Sequence, residues 1–319
     1  MSRPIRILHR KVFRRVKPEA IRDELRRIGL TSGSIVYAHI SMRSLGYVPG
    51  GAATVLQVIL DLLGGGGTLV MSSSPEPDPA LISSSRSFDL NATPSGSGSV
   101  SEALRRHEGA RRSLHPIAPL SAVGPAAAEI VEGHESSPTP FNVAGPYGRL
   151  AKLKPRLLLI GTHTGSLLYH VMDRVGFPNL YVEPAATFEA KDAGGKTRSI
   201  ATPRLNPAVP PVVILPGSRP ENRDYLLMAD YALMFPPRRE REVIEAGYLR
   251  YNKSRFLGRR DRWCARGVLT IGRVGRADAA LLDGARMLDQ VAEDLRWDIA
   301  RFKDEYDPDF LSRLTLPVI

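Results

Sequence analysis

"SIVYAHISMRSLGYVPGGAATVLQVILDLLGGGGTLVMS" (Ser34–Ser72) decides the fold. The β-branched and apolar run 34–40 predicts a strand, and "GTLVMS" (67–72) predicts a second one. Between them "SMRSLGYVPGG" predicts a loop with glycines at its exit, and "AATVLQVILDLLGGGG" predicts a helix stopped by glycine. Strand, loop, helix and strand in that order are the signature of an α/β layered domain.

Upstream, "KPEAIRDELRRIGL" predicts a helix with Pro18 in its first turn, Ile21, Leu25 and Ile28 at helical spacing, and Gly29 at its stop. Downstream, residues 72–101 are rich in Ser, Pro and Gly, a loop length that is usually functional or disordered. "SEALRRHEG" predicts a short helix N-capped by Ser99 or Ser101, and "AAAEIVEGH" another helix. "PRLLLIG" (155–161) predicts a buried strand, followed by the helix "GSLLYHVMDRVG". "LYVEPAATFEAKDAGGKTRSIATPRL" alternates around "AGG" as a β-hairpin does. "VLTIGRVG" predicts a strand or turn, and "RADAALLDGARMLDQVAEDLRWDIARF" a long amphipathic helix after it.

Composition bounds the function. At 319 residues, 43% hydrophobic and 24% charged, the chain is an ordinary globular protein with no apolar run of membrane-span length. The basic start lacks the apolar core of a signal peptide, and the single cysteine, Cys264, fits a reducing cytoplasm. The net charge of +11 is concentrated: residues 1–27 carry ten Lys/Arg against three acids, and residues 238–276 twelve against four. Such patches attract phosphates or are plain solvated faces. No helix-turn-helix or aromatic single-strand platform accompanies them, so no nucleic-acid partner is expected.

The chemistry-bearing stretch is "GTHTGSLLYHVMDRVG" (161–176). His170 and Asp173 lie at i and i+3, neighbours on one helix face. A carboxylate there can hold an imidazole in one tautomer, the layout of a general base and its orienter; a packed core histidine is the other reading of the spacing. Zinc does not fit, because His163 and His170 stand seven apart with no thiolate nearby, and no metal is expected. "RRSLHPIAPLSAVGP" (111–125) adds Arg111, Arg112 and His115, a phosphate cluster or a basic surface turn. There is no G-x-S-x-G elbow and no P-loop, while the amides of "LGYVPGG" precede a helix and suit a pyrophosphate.

Four blocks in order resemble the aminoglycoside 3-N-acetyltransferase family, the antibiotic N-acetyltransferases that are not of the GNAT fold. They are "IRDELRRIGLTSGSIVYAHISMRSLGYVPGGAATVLQVILDLLGGGGTLVMSS", "FDLNATPSGSGSVSEALRRHEGARRSLHPIAPLSAVGP", "FNVAGPYGRLAKLKPRLLLIGTHTGSLLYHVMDRVG" and "RGVLTIGRVGRADAALLDGARMLDQVAEDL". The resemblance covers about residues 18–190 and 265–295. It implies acetyl-CoA as co-substrate, a small-molecule amine as acceptor, and direct transfer with His170 as general base. Asp173 stands where the family usually has Glu. The loop Ser41, Arg43, Ser44, Leu45 and Gly46 is implied as the seat of pantetheine and pyrophosphate, with Arg112, Ser113 and His115 beside the cofactor. His115 is the alternative catalytic histidine.

Two departures bear on the acceptor. Ile117-Ala118-Pro119 replaces the family's polar run after His-Pro, and residues 191–262 show little resemblance while ending strongly basic. Both point away from a typical polycationic aminoglycoside. A catalytically altered relative that only binds CoA, and a basic nucleic-acid binder, are the competing functions. The expected architecture is a three-layer α/β/α sandwich. A basic segment 1–17 precedes a single domain 18–319, with a small β-rich insertion from about 181 to 262. A homodimer stays open as the assembly.

Overall fold

The computed structural model describes residues 15–75, 87–162, 167–176, 180–205, 263–289 and 292. Residues 1–14 of the expected basic segment 1–17, the part of the expected 181–262 insertion beyond 205 with the patch 238–262, His163 and the chain after 292 lie outside them.

The opening stretch folds as read, except that a helix, Met42–Leu45, stands inside the expected loop. Strand β1 (Ile35–Ile40) leads through a four-residue helix to helix Gly51–Leu63, which returns the chain to β2 (Thr68–Ser72). β1 pairs in parallel with β2 on one side and with β6 (Arg156–Ile160) on the other. Among the described residues the sheet has seven strands in the order β4-β5-β2-β1-β6-β10-β9. Here β4 is Arg111–Arg112, β5 Leu120–Val123, β9 Leu269–Val274 and β10 Ala277–Asp283. β5 and β10 run antiparallel to their neighbours β2 and β6.

Strand alternation splits the core into two layers. Val36, Ala38 and Ile40 pack under helices Pro18–Arg27, Gly51–Leu63 and Ser99–Arg105. Tyr37, Leu157 and Leu159 pack under helices Ala127–Val131, Pro146–Lys152 and Leu167–Arg174. Helices on both faces make the expected three-layer α/β/α sandwich. A separate three-stranded sheet, β3-β7-β8, holds the expected hairpin, Tyr181–Lys191 with Thr197–Leu205. Its third strand, Ser87–Asp89, comes from the serine-rich segment.

Three local expectations are corrected. The long helix expected from Arg276 is first a strand, β10, and among the described residues helix begins only at 284. Ala277, Ala279 and Leu281 belong to one core layer, Ala280 and Leu282 to the other. A strand buried on both faces is apolar at consecutive positions, which masks the period of two. Neither Ser99 nor Ser101 caps its helix; Gly98 holds the cap position without a side-chain bond, and Ser101 Oγ is buried and donates to the Ser72 carbonyl. The "RRSLHPIAPLSAVGP" stretch is not a surface turn, since it forms the β4–β5 pair and the connection between the two strands is buried.

Candidate active site

The sheet reverses its direction of growth between β1 and β6. From β1 the chain crosses to β2 through a helix on one face, and it reaches β6 through a helix on the other. In open α/β sheets the crevice outside the carboxyl ends of such strands is where ligands bind. The two strand ends are stitched together there. Ser41 N–H donates to the Ile160 carbonyl at 2.8 Å and Ser44 Oγ to the Gly161 carbonyl at 3.3 Å. Ser41 Oγ also caps the helix Met42–Leu45. The Leu45 carbonyl accepts Arg276 N–H at 3.0 Å, and Gly46 turns with φ 99° against the Arg276 side chain. The five residues expected to seat the cofactor are thus one braced unit, with Arg43 exposed on it.

His170 rises from helix Leu167–Arg174 and is 2% exposed. Its Nδ1 lies 2.9 Å from the Phe141 carbonyl. A carbonyl only accepts, so Nδ1 carries the proton and the neutral ring keeps its lone pair on Nε2. Burial lowers the pKa below its ordinary value, with Arg174 adding to the shift; the Phe141 bond and Asp173 oppose it. The ring is therefore a neutral base at pH 7.

Asp173 sits one turn further on, half-buried. Thr139 Oγ1 lies 3.2 Å from each carboxylate oxygen. Among the described hydrogen bonds none joins Asp173 to His170, so the orienting contact expected of the carboxylate is made by a backbone carbonyl. Its charge still reaches its neighbours: burial and then Asp173 push the Tyr181 phenol up, keeping it protonated.

The second cluster is interior. Arg112 donates from Nε to Ser73 Oγ, from one terminal nitrogen to the Leu90 and Thr93 carbonyls, and from the other to the Ser73 carbonyl. Its guanidinium lies 4.7 Å over the Phe88 ring, and burial lowers its pKa to about 9. Every guanidinium nitrogen is committed to protein, so Arg112 braces three segments. Ser113 Oγ accepts Leu120 N–H at 2.9 Å and lies 2.8 Å from His134 Nδ1. His115 Nδ1 accepts the amides of Ile117 and Ala118, both at 3.2 Å. Nε2 then carries the proton, so His115 has no lone pair to offer as a base. Ile117 and Ala118 are themselves fully buried, which makes the apolar replacement part of the core and not a wall of an open cleft.

Four polar groups escaped the sequence reading. His39 follows Tyr37 on the same face of β1, level with Leu159, and its Nε2 is sealed from solvent without a described partner. His134 stacks on His115 at 4.2 Å. Thr139 and the Phe141 carbonyl hold the helix that carries His170 and Asp173. The prolines of "SSPTPF" (136–141) were the available signal for a rigid segment there. Among the described residues no three His, Cys, Asp or Glu stand together as a metal site, and no helix is long and apolar enough to cross a membrane.

The buried imidazoles imply an acid-sensitive fold. Burial lowers His39 to about 4 and His134 to about 3, and it holds His115 well below the ordinary value. Each contributes stability that is fully present above the unfolded value near 6.5 and is lost as pH falls toward the folded one, because the unfolded chain takes the proton first. Urea midpoints should be level from pH 8 to 7. Below about 6.5 stability should fall by up to about 1.4 kcal/mol per pH unit for each histidine, before ordinary carboxylates titrate. A flat profile from pH 7 to 5 would mean that these rings are not buried neutral.

Comparison with known proteins places this geometry. The profile described as aminoglycoside 3-N-acetyltransferase matches residues 37–296. Aminoglycoside N(3)-acetyltransferase IX of Micromonospora chalcea is 35% identical over 167 residues, 47% of this chain and 59% of the relative. Aminoglycoside N(3)-acetyltransferase VIII of Streptomyces fradiae is 36% identical over 175 residues, 50% of this chain and 60% of the relative. The chain thus spans about three fifths of the length of these curated relatives. Among solved structures, AAC-IIIb in a binary complex with CoASH superposes with a TM-score of 0.65 at 19% identity, covering 89% of this chain and 97% of that one. The YokD protein of Bacillus subtilis superposes at 0.60 with 22% identity, covering 93% and 97%. These structures share the fold.

Proposed function

The chain belongs to the aminoglycoside 3-N-acetyltransferase family, and we propose that it transfers an acetyl group from acetyl-CoA to an amine of an aminoglycoside or related amino sugar. The observation that carries the reading is the setting of His170: a buried ring whose Nδ1 lies 2.9 Å from a backbone carbonyl, which leaves Nε2 as the basic nitrogen. The relatives' names supply the reaction class, and the CoASH complex of a structural neighbour supports the co-substrate.

The transfer is direct. The amine nitrogen attacks the thioester carbonyl carbon, a C–N bond forms and the C–S bond breaks. His170 Nε2 takes the amine proton, which passes on to the leaving CoA sulfur, so the products are an amide and free thiol. The loop Ser41–Gly46 seats the pantetheine and pyrophosphate, and Arg43 offers the exposed charge there. Arg112, Ser113 and His115 serve by holding the backbone. Asp173 acts on His170 through its charge and through Thr139. The burial of Ile117 and Ala118 removes one motive for rejecting an aminoglycoside acceptor, and the patch 238–262 lies outside the described residues.

The test is a panel of amines, from gentamicin and kanamycin to single amino sugars, incubated with acetyl-CoA while thiol release is followed. Release should require the amine and yield one N-acetyl product by mass. CoA binding by calorimetry with no release for any amine would instead favour the binding module.

A further inference from the structure

Three consecutive residues tie the candidate base to a second, buried histidine. Thr139 Oγ1 reaches the Asp173 carboxylate, the Pro140 carbonyl lies 2.9 Å from His134 Nε2, and the Phe141 carbonyl lies 2.9 Å from His170 Nδ1. Pro138 and Pro140 restrict φ at two positions of this strap. The Phe141 ring is held between Tyr147, at 4.8 Å, and Tyr169, at 5.2 Å. His134 is fully buried, and its protonation follows from its partners. Leu120 N–H donates to Ser113 Oγ, so the Ser113 hydroxyl proton goes to His134 Nδ1, and His134 Nε2–H goes to the Pro140 carbonyl. The ring is stacked on His115, which two backbone amides hold in turn.

We propose that His134 is a positioning residue for the transfer: by gripping the Pro140 carbonyl it fixes the strap and aims the neighbouring Phe141 carbonyl at His170 Nδ1. The "RRSLHP" block thereby supports the base from beneath. The proposal rests on His170 being the general base. It predicts opposite tautomers for the three histidines: Nδ1–H for His170, and Nε2–H for His134 and His115. Among the described residues the charged groups acting on His170 are Arg174 and Asp173, and no substitution below touches either.

The substitutions separate the grip from mere filling of the site. The amide nitrogen of His134→Gln occupies the place of Nε2 and can donate to Pro140. His134→Asn keeps a partner for Ser113 but is too short to reach the strap, and His134→Leu makes neither bond. His134→Leu and His134→Asn should each lose about 10- to 100-fold in kcat with the KM for acetyl-CoA near wild type, because a misaimed base slows the chemistry without touching the cofactor loop. His134→Gln should recover most of the loss. Nitrogen-15 NMR of labelled histidines should show His170 Nδ1–H in the wild type and a mixed tautomer in His134→Leu. A folded His134→Leu with wild-type kcat and an unchanged His170 tautomer would overturn the strap and leave the base standing. Wild-type protein showing His134 protonated on Nδ1 would overturn it with no variant needed. A fully active His170→Asn would remove the base, while the tautomer spectra would still report on the strap.

Discussion

His170→Ala should turn over about 10²–10⁴-fold more slowly than wild type, the usual worth of a positioned general base. The substitution also empties a buried site and strips the Phe141 carbonyl of its donor, so lost activity has to be separated from lost structure. His170→Asn makes that separation, because its amide nitrogen stands where Nδ1 was and can donate to Phe141 while offering no basic lone pair. Both variants should lose turnover, with His170→Asn closer to wild type in melting temperature. The pH profile carries a second signature. Burial lowers the His170 pKa, so the ring is neutral above that lowered value and protonated below it. The acid limb of wild-type kcat/KM should lie below pH 6.5, and His170→Asn should lack it. Full turnover per folded molecule in His170→Asn would remove the base from the mechanism.

Gly161→Ala should destabilise the fold by about 2–4 kcal/mol, the sum of a left-handed backbone strain and an overpacked contact. Gly161 ends β6 at the switch point with φ 64°, and an added Cβ would stand 2.3 Å from Ser44 Cβ. Neither atom can swing away, because Ser44 is held in its short helix by the Ser41 cap and bonds the Gly161 carbonyl itself. The strain therefore falls on the loop proposed to seat the cofactor, and CoA affinity should drop along with stability. Pairing it with Ser44→Gly removes the close Cβ but not the φ strain, so the double variant should regain part of the loss in urea denaturation. Additive losses in that cycle would show that the two residues do not press on each other.

How much of this was legible beforehand differs by element. The strand–helix–strand of 34–72 was readable because its periods, its glycine stops and its apolar runs agree with one another. The 181–205 hairpin was readable from alternation around a glycine turn. β10 was misread because a strand covered on both faces shows no alternation. The site split along the same line. Ser41–Gly46, the loop proposed to seat the cofactor, form one unit because they are adjacent in sequence and sit at a strand end. Arg112, Ser113 and His115 form a cluster of the right types for ligand binding, yet Arg112 and Ser113 spend their polar atoms on backbone, Ser73 and His134, and His115 spends Nδ1 on two backbone amides.

By itself the sequence determined the α/β layering, the family, and the helix that carries His170 and Asp173, because these rest on local period and on order along the chain. Only the tertiary structure decided what each polar group does. His170 takes its tautomer from a carbonyl 29 residues earlier, and Asp173 turns to a threonine 34 residues earlier. His134 enters the site through a strap it meets only after folding. The reason is physical: a hydrogen bond is fixed within tenths of an ångström and tens of degrees, and the hydrophobic pattern that selects a fold leaves such geometry open until the core has packed.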